Sequence, residues 1–130
     1  MRTIYLSLDE VIAIHDSMIE HYGGSFGIRD IGLIQSAITR PHSSFDGEDL
    51  YSTIFDKAAA LFHSLLFNHA FVDGNKRKAI TATGRFLTLN GYELAASEKD
   101  FVVFPLQVEN QHLSLKKIAN WLKENTKILQ

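Results

Sequence analysis

The chain has 130 residues, 45% of them hydrophobic and 22% charged, which is the balance of an ordinary globular domain able to bury a core. A net charge of −2 excludes a broad nucleic-acid footprint, and zero cysteine excludes a disulfide framework, a thiol nucleophile and thiolate metal sites. There is no positive-then-apolar leader and no apolar run of membrane-spanning length, so the expectation is one domain over residues 1–130, cytoplasmic, contacting neither membrane nor nucleic acid directly.

Thr3 to Leu6 is short and rich in β-formers, at most a brief strand. Ser7-Leu8-Asp9-Glu10 reads as a capping box, and Leu8, Val11, Ile12, His15, Met18, Ile19 and Tyr22 follow at helical spacing on one face. His15 lies on that apolar face, so a core histidine with a satisfied ring is expected there. Gly23-Gly24 ends the helix. From Gly23 to Asp30 there are three glycines and no helical period. This is either a plain connection or a mobile flap, involving Gly24, Gly27 and Arg29, that lies over a nucleotide or docks a segment of a protein substrate. Arg29 can pair with Asp30 or reach a phosphate. Asp30 suits the N-cap of a helix from Ile31 to Thr39, with Leu33, Ile34, Ala37 and Ile38 inward, and Pro41 stops it.

His42 to Glu48 is polar and carries Gly47, so a loop is expected. A long central helix follows from about Asp49 to Asn68. Ile54, Ala58, Leu61, Phe62, Leu65 and Leu66 form its buried stripe, with His69 one turn further along. His63 lies off the stripe, six residues from His69, which is not the spacing of a metal pair on a helix.

The stretch His69-Ala70-Phe71-Val72-Asp73-Gly74-Asn75-Lys76-Arg77-Lys78-Ala79 then concentrates the chemistry at a corner between two helices. His69 can exchange a proton near neutral pH without special tuning. Asp73 is a hard oxygen ligand of the kind Mg2+ takes beside phosphate oxygens. Gly74 permits backbone angles closed to other residues and can help form an anion nest. Asn75 offers both donor and acceptor. Lys76, Arg77 and Lys78 open the next helix, where free amides and the dipole favour an anion and cations are poorly placed. Such a cluster reads either as a solvated basic turn or as a phosphate site with a metal ligand and a base beside it, hence phosphoryl or nucleotidyl transfer. Phe71 is expected to fasten the loop to the core, and Lys78 to point outward into solvent.

From Lys76 to about Asn90 the second motif helix turns Ala79, Ile80, Thr83, Phe86 and Leu87 inward, and small Ala79, Ala82 and Gly84 permit the close approach of another helix. Tyr92 to Leu94 is a short strand, paired with the amino-terminal one. Ser97 opens a helix containing Phe101, Val102, Phe104 and Leu106, which Pro105 shortens or kinks. Ser114 caps a last helix to about Asn125, with Leu115, Ile118, Ala119 and Leu122 inward and Lys116, Lys117 and Lys123 solvated. The sum is a mainly α fold of about six helices with minor short strands.

The motif resembles the signature of the Fic/Doc family, H-x-F-x-[DN]-[GA]-N-[KG]-R, which His69, Phe71, Asp73, Gly74, Asn75 and Arg77 all match. Lys76 replaces the glycine of ordinary Fic domains and matches the Doc (death-on-curing) branch, while Ala70 stands where Fic proteins usually carry proline. His21 to Gly24, Gly27 to Asp30 and Leu33 to Pro41 are also similar to the amino-terminal part of Doc-type toxins. The resemblance implies a compact Fic/Doc helical domain using ATP and Mg2+. Asp73 would hold the metal and His69 would accept the proton of an incoming hydroxyl. Gly74 and Asn75 would offer amides to a phosphate, with Lys76 and Arg77 neutralising the rest of the chain. Related Fic domains use a hairpin flap over the site, which bears on Gly24, Gly27 and Arg29.

Resemblance to Doc implies attack at the γ-phosphorus by a protein kinase that modifies a threonine of elongation factor Tu and arrests translation. Resemblance to ordinary Fic domains implies AMP transfer instead. Lys76 favours the kinase, because lysine fills space that glycine leaves for the phosphates and adds a charge. A non-catalytic interaction module on the same fold is a further reading. The family's toxins are held by a Phd-like antitoxin whose carboxy-terminal segment folds onto the toxin. Many Fic domains instead carry an inhibitory [ST]-x-x-x-E-[GN] helix. Ser44 to Asp49 and Asn120 to Asn125 each miss one position of it, so inhibition in trans is expected.

Overall fold

A computed structural model describes residues 2–129. In chain order the elements are α1 (Leu8–Tyr22), α2 (Ile31–Thr39), a 3-10 turn (Arg40–His42), β1 (Ser44–Phe45), β2 (Glu48–Asp49), α3 (Ile54–Phe67), α4 (Asn75–Leu89), β3 (Tyr92–Leu94), α5 (Glu98–Gln111), α6 (Leu115–Glu124) and β4 (Thr126–Ile128). The mainly α expectation with six helices holds. No helix among the described residues is long and apolar enough to cross a membrane.

Local chemistry starts these helices where the caps stand. Ser7 accepts from the Glu10 amide while Glu10 reaches back, Asp30 accepts from Gly32, and Ser97 and Ser114 accept from Asp100 and Lys117. The central helix α3 begins later than expected. Thr53, not a residue near Asp49, is its N-cap and accepts from the Asp56 amide. The residues before it form a hairpin rather than a loop, with Ser44 opposite Asp49 and Phe45 opposite Glu48. Its corner, Asp46-Gly47, has φ of 53° and 82°, the paired left-handed angles that suit a tight hairpin. Lys57, buried in α3, holds this hairpin by donating to Asp49 Oδ2 at 3.0 Å and to the Tyr51 carbonyl.

Elsewhere the structure differs from, or narrows, what the sequence implied. Residues 3–6 form no strand. Their anchor is the Asn90 carboxamide, which imitates a strand partner by bonding both the N–H and the C=O of Ile4, each at 2.8 Å. The partner of β3 is therefore β4, with Tyr92 opposite Ile128 and Leu94 opposite Thr126. Helix α5 runs 14 residues with Pro105 inside it, so the proline does not shorten it. Packing holds it there, since Phe104 stacks on Trp121 at 3.8 Å and lies 5.6 Å from Phe62. Gly84 meets β3 rather than a helix, and a Cβ there would touch Leu94 at 3.6 Å.

α3 is the hub. Ala58, Ala59, Ala60, Leu61, Phe62, Leu65 and Leu66 are all buried, so apolar surface covers most of its circumference. α4 and α6 pack against it most extensively, with α2 and the 3-10 turn on a further side. Burying each large apolar side chain contributes about 1.5–3 kcal/mol, and this fixes the α3–α4 corner between the end of one core helix and the start of another.

Candidate active site

α3 stops at Phe67, and its C-cap Asn68 donates to the Leu33 carbonyl at 3.2 Å. The chain then leaves the helix. His69 has φ of 49°, a left-handed angle that histidine tolerates better than most residues, and its side chain is exposed. So the loop aims this imidazole, not a further turn of α3.

Ala70 and Phe71 drive back into the core, and Phe71 is fully buried as its anchoring role requires. His15 of α1 stacks on the Phe71 ring at 3.8 Å, and its Nε2 donates to the Asp73 carbonyl at 2.6 Å. It is the core histidine with a satisfied ring that its position implied, and it also pins the loop. The loop is tied internally by Asn75, whose Oδ1 accepts from the Phe71 N–H at 3.2 Å and whose Nδ2 donates to the Phe71 carbonyl at 3.0 Å. Gly74 closes the loop at φ 75°. A Cβ there would fall 3.1 Å from Ile19 and 3.4 Å from His15, so glycine is required by both angle and space.

The first amides of α4 have no carbonyl to bond within their helix and sum with the dipole into an anion-attracting end. The residues that carry them line a cavity of about 320 Å³. Its walls include His69, Asp73, Gly74, Asn75, Lys76 and Arg77, with Met18, Ile19 and Tyr22 from α1 opposite. The six residues to which a proton, metal or phosphate role was assigned thus share one cavity, while Phe71 of the motif stays in the core. In this structure the Gly74 amide donates to Asp73 Oδ1 at 2.8 Å, and Asp73 Oδ2 lies 3.4 Å from the Ser25 amide. Lys76 pairs with Glu109 of α5 at 3.5 Å, and the Arg77 guanidinium lies 3.8 Å over the Tyr22 ring. Beyond Tyr22 and Arg77 the cavity adjoins a more apolar groove of about 460 Å³ between α1, α4 and α5, lined by Ile80, Phe101 and Val102.

Gly24, Gly27 and Arg29 do not line the cavity. Their segment is strapped along the outer edge of the motif loop. Ile28 bridges Phe71, Val72 donates to the Gly27 carbonyl at 3.1 Å, and the Arg29 amide donates to the Ala70 carbonyl at 2.7 Å. Gly24 makes the close approach possible, because a Cβ there would fall 2.8 Å from Asp73 Oδ2. Arg29 forms no ion pair with Asp30 among the described residues; the Asp30 carboxylate serves its cap, 2.9 Å from the Gly32 amide.

Lys78 is not the solvated residue expected. It has no exposure, its Nζ donates to Asn75 Oδ1 at 3.1 Å, and it lies 4.4 Å over the Phe71 ring. Burial pulls its pKa down to about 7. The signal for this was in the sequence, since Lys78 stands one and two turns before Ala82 and Phe86, both buried. His63, off the α3 stripe, has its pKa lowered by burial and then by Arg40, which lies 3.2 Å from its ring nitrogen.

Among the described residues no cluster of three metal-ligating side chains exists. Asp73 alone still suits Mg2+, an ion usually held by one or two carboxylates with the remaining places taken by phosphate and water.

Residues 5–87 match the profile of the Fic/DOC family. The chain is 45% identical over 94 residues to a protein named Toxin Doc from Mycolicibacterium smegmatis, covering 72% of this chain and 70% of that one. It is 32% identical over 119 residues to a protein named Protein kinase doc from Escherichia phage P1, covering 92% and 93%. With the motif intact at its helix–loop–helix corner and the match running through most of α1 to α4, the chain belongs to the Fic/DOC family.

Proposed function

We propose that this protein is a Doc-type toxin that transfers the γ-phosphoryl group of ATP to a hydroxyl of a translation factor, elongation factor Tu, and so arrests translation. The observation that carries this reading is the convergence of an exposed imidazole, a carboxylate and the open end of α4 on one cavity. The relatives named as a toxin and as a protein kinase point the same way.

In this reading His69 takes the proton as the hydroxyl oxygen bonds to the γ-phosphorus and the bond to the ADP oxygen breaks, a service typically contributing 10²- to 10⁴-fold. Asp73 would hold Mg2+, which supplies charge neutralisation to the phosphates when bound. The Asn75, Lys76 and Arg77 amides meet phosphate oxygens. Arg77 offers a two-pronged contact and Lys76 a point charge once they leave Tyr22 and Glu109. A Phd-like antitoxin segment laid in the adjoining apolar groove would reach Tyr22 and Arg77 and exclude the phosphates.

AMP transfer is the second reading, because the same cavity could present the α-phosphorus; Lys76, in the place of the Fic glycine, favours the kinase. The test is incubation with Mg2+, a translation extract and ATP labelled separately at the α and γ positions. Label reaching protein only from the γ position, and lost in His69→Ala, is the expected result. Transfer from the α position would make the protein an AMP transferase, and none from either would leave an interaction module.

A further inference from the structure

Lys78 is a lysine with no exposure in the first turn of α4. With the His15 imidazole covering one face of Phe71, the Lys78 ammonium occupies the other and donates to Asn75 Oδ1, the same oxygen that receives the Phe71 N–H. The acidic groups of the surrounding elements are engaged elsewhere. Glu10 of α1 pairs with Arg85, Glu109 of α5 with Lys76, Asp16 faces His15, and Asp73 faces Gly74. Among the described residues no carboxylate neutralises Lys78. If packing were its whole use, methionine would fill the space without burying a charge.

We propose that Lys78 is a positioning residue of the phosphate site: it fixes the Asn75 carboxamide that closes the motif loop, and its buried ammonium gains a counter-charge when a polyphosphate occupies the cavity that Asn75 lines. The inference rests on the phosphate reading of that cavity and adds its regulation by protons. A bound polyphosphate favours the charged form of Lys78, so binding raises the proton affinity of Lys78, and protonation strengthens binding in equal measure. Burial has already brought the free protein's titration into the neutral range.

The test uses the full chain with 13C-labelled lysine and inorganic tripolyphosphate as the probe. The Lys78 Cε resonance, identified by its absence in Lys78→Gln, should titrate near neutrality in the free protein and at least about one pH unit higher with tripolyphosphate bound, a tenfold change in proton affinity. An unmoved midpoint with the probe bound, or an ordinary lysine midpoint in the free protein, overturns the proposal and leaves the phosphate site standing. Calorimetry that detects no tripolyphosphate binding at all removes the phosphate reading and this inference together.

Lys78→Gln adds a second readout, because glutamine retains a donor for Asn75 without the charge. Its affinity for tripolyphosphate should be about tenfold weaker than wild type at about pH 6 and equal at about pH 9. Equal weakening at both pH values marks a merely structural lysine and overturns the proposal.

Discussion

Asn75 illustrates how single side chains set this site. One carboxamide bonds both backbone groups of Phe71 and also receives Lys78, so the loop between two helices is closed by three hydrogen bonds from one residue. Asp73 stands at the tip of that loop with its carboxylate at the cavity wall. On the proposed reading, replacing it with alanine would remove the ligand for Mg2+ while leaving the His15 bond intact, because that bond uses the Asp73 carbonyl. Asp73→Ala should therefore fold as wild type and show no phosphoryl transfer at any Mg2+ concentration; activity retained in the labelled-ATP assay would remove Asp73 from the mechanism. Lys78 makes a prediction about stability that needs no ligand. In the unfolded chain its ammonium persists to about pH 10, whereas in the folded protein it titrates at about 7. Between those values the unfolded chain binds more protons, so raising the pH stabilises the fold. The stability of wild type relative to Lys78→Met should be flat below about pH 7 and should climb above it by up to about 1.4 kcal/mol per pH unit, levelling near pH 10. Urea unfolding across this range checks the slope, and a flat difference throughout would show that the buried amine is not desolvated.

The α3–α4 corner works as an element because the Phe71 plug lies between His15 and Lys78. Phe71→Ala should lower stability by about 3–5 kcal/mol through the cavity left behind, and near-neutral urea stability in that variant would show that the loop stands without its plug. Much of this corner is legible in the sequence. The motif placed imidazole, carboxylate, glycine and amides in order, and Gly74 does adopt the left-handed angle that it alone supplies cheaply. The helix starts at Ser7, Asp30, Ser97 and Ser114 were legible because a cap is a local event. What was missed depended either on contacts far apart in sequence or on a turn signal passed over. The pairing of β3 with β4 joins residues more than thirty apart, and no local pattern announces it. The 44–49 hairpin did announce itself, through the turn pair Asp46-Gly47, but its strands are two residues each and one of them is Glu48-Asp49, residue types that strands disfavour. The burial of Lys78 was obscured by its neighbours, since Lys76 and Arg77 do reach the cavity and the run reads as one solvated cluster.

At the scale of the whole molecule, the motif half cannot be a free-standing unit. The family match ends at residue 87, yet α3, the hub of that half, is covered on one side by α6 and touched by α5. Phe62 meets Phe104, which stacks on Trp121, while Ile118 and Leu122 are fully buried in the same core. The carboxy-terminal elements also close the molecule through backbone bonds, from Ala95 to the Asn125 carbonyl at 2.7 Å and from Leu129 to the Gly91 carbonyl at 2.9 Å. The cavity depends on this half too, because Glu109 of α5 holds Lys76 and Phe101 lines the groove beside Arg77. Removing everything after Leu94 would strip these layers and expose Phe62 and its neighbours on α3. Several large side chains, each contributing about 1.5–3 kcal/mol by burial, exceed the roughly 5–15 kcal/mol of net stability that a domain of ordinary size possesses. The truncated chain should therefore lose its cooperative thermal transition and associate through the uncovered helix face, as read by circular dichroism and size-exclusion chromatography. A monomeric fragment that melts cooperatively within a few degrees of the full chain would show that the core ends where the family match does, and that α5 and α6 are accessories rather than one wall of the fold.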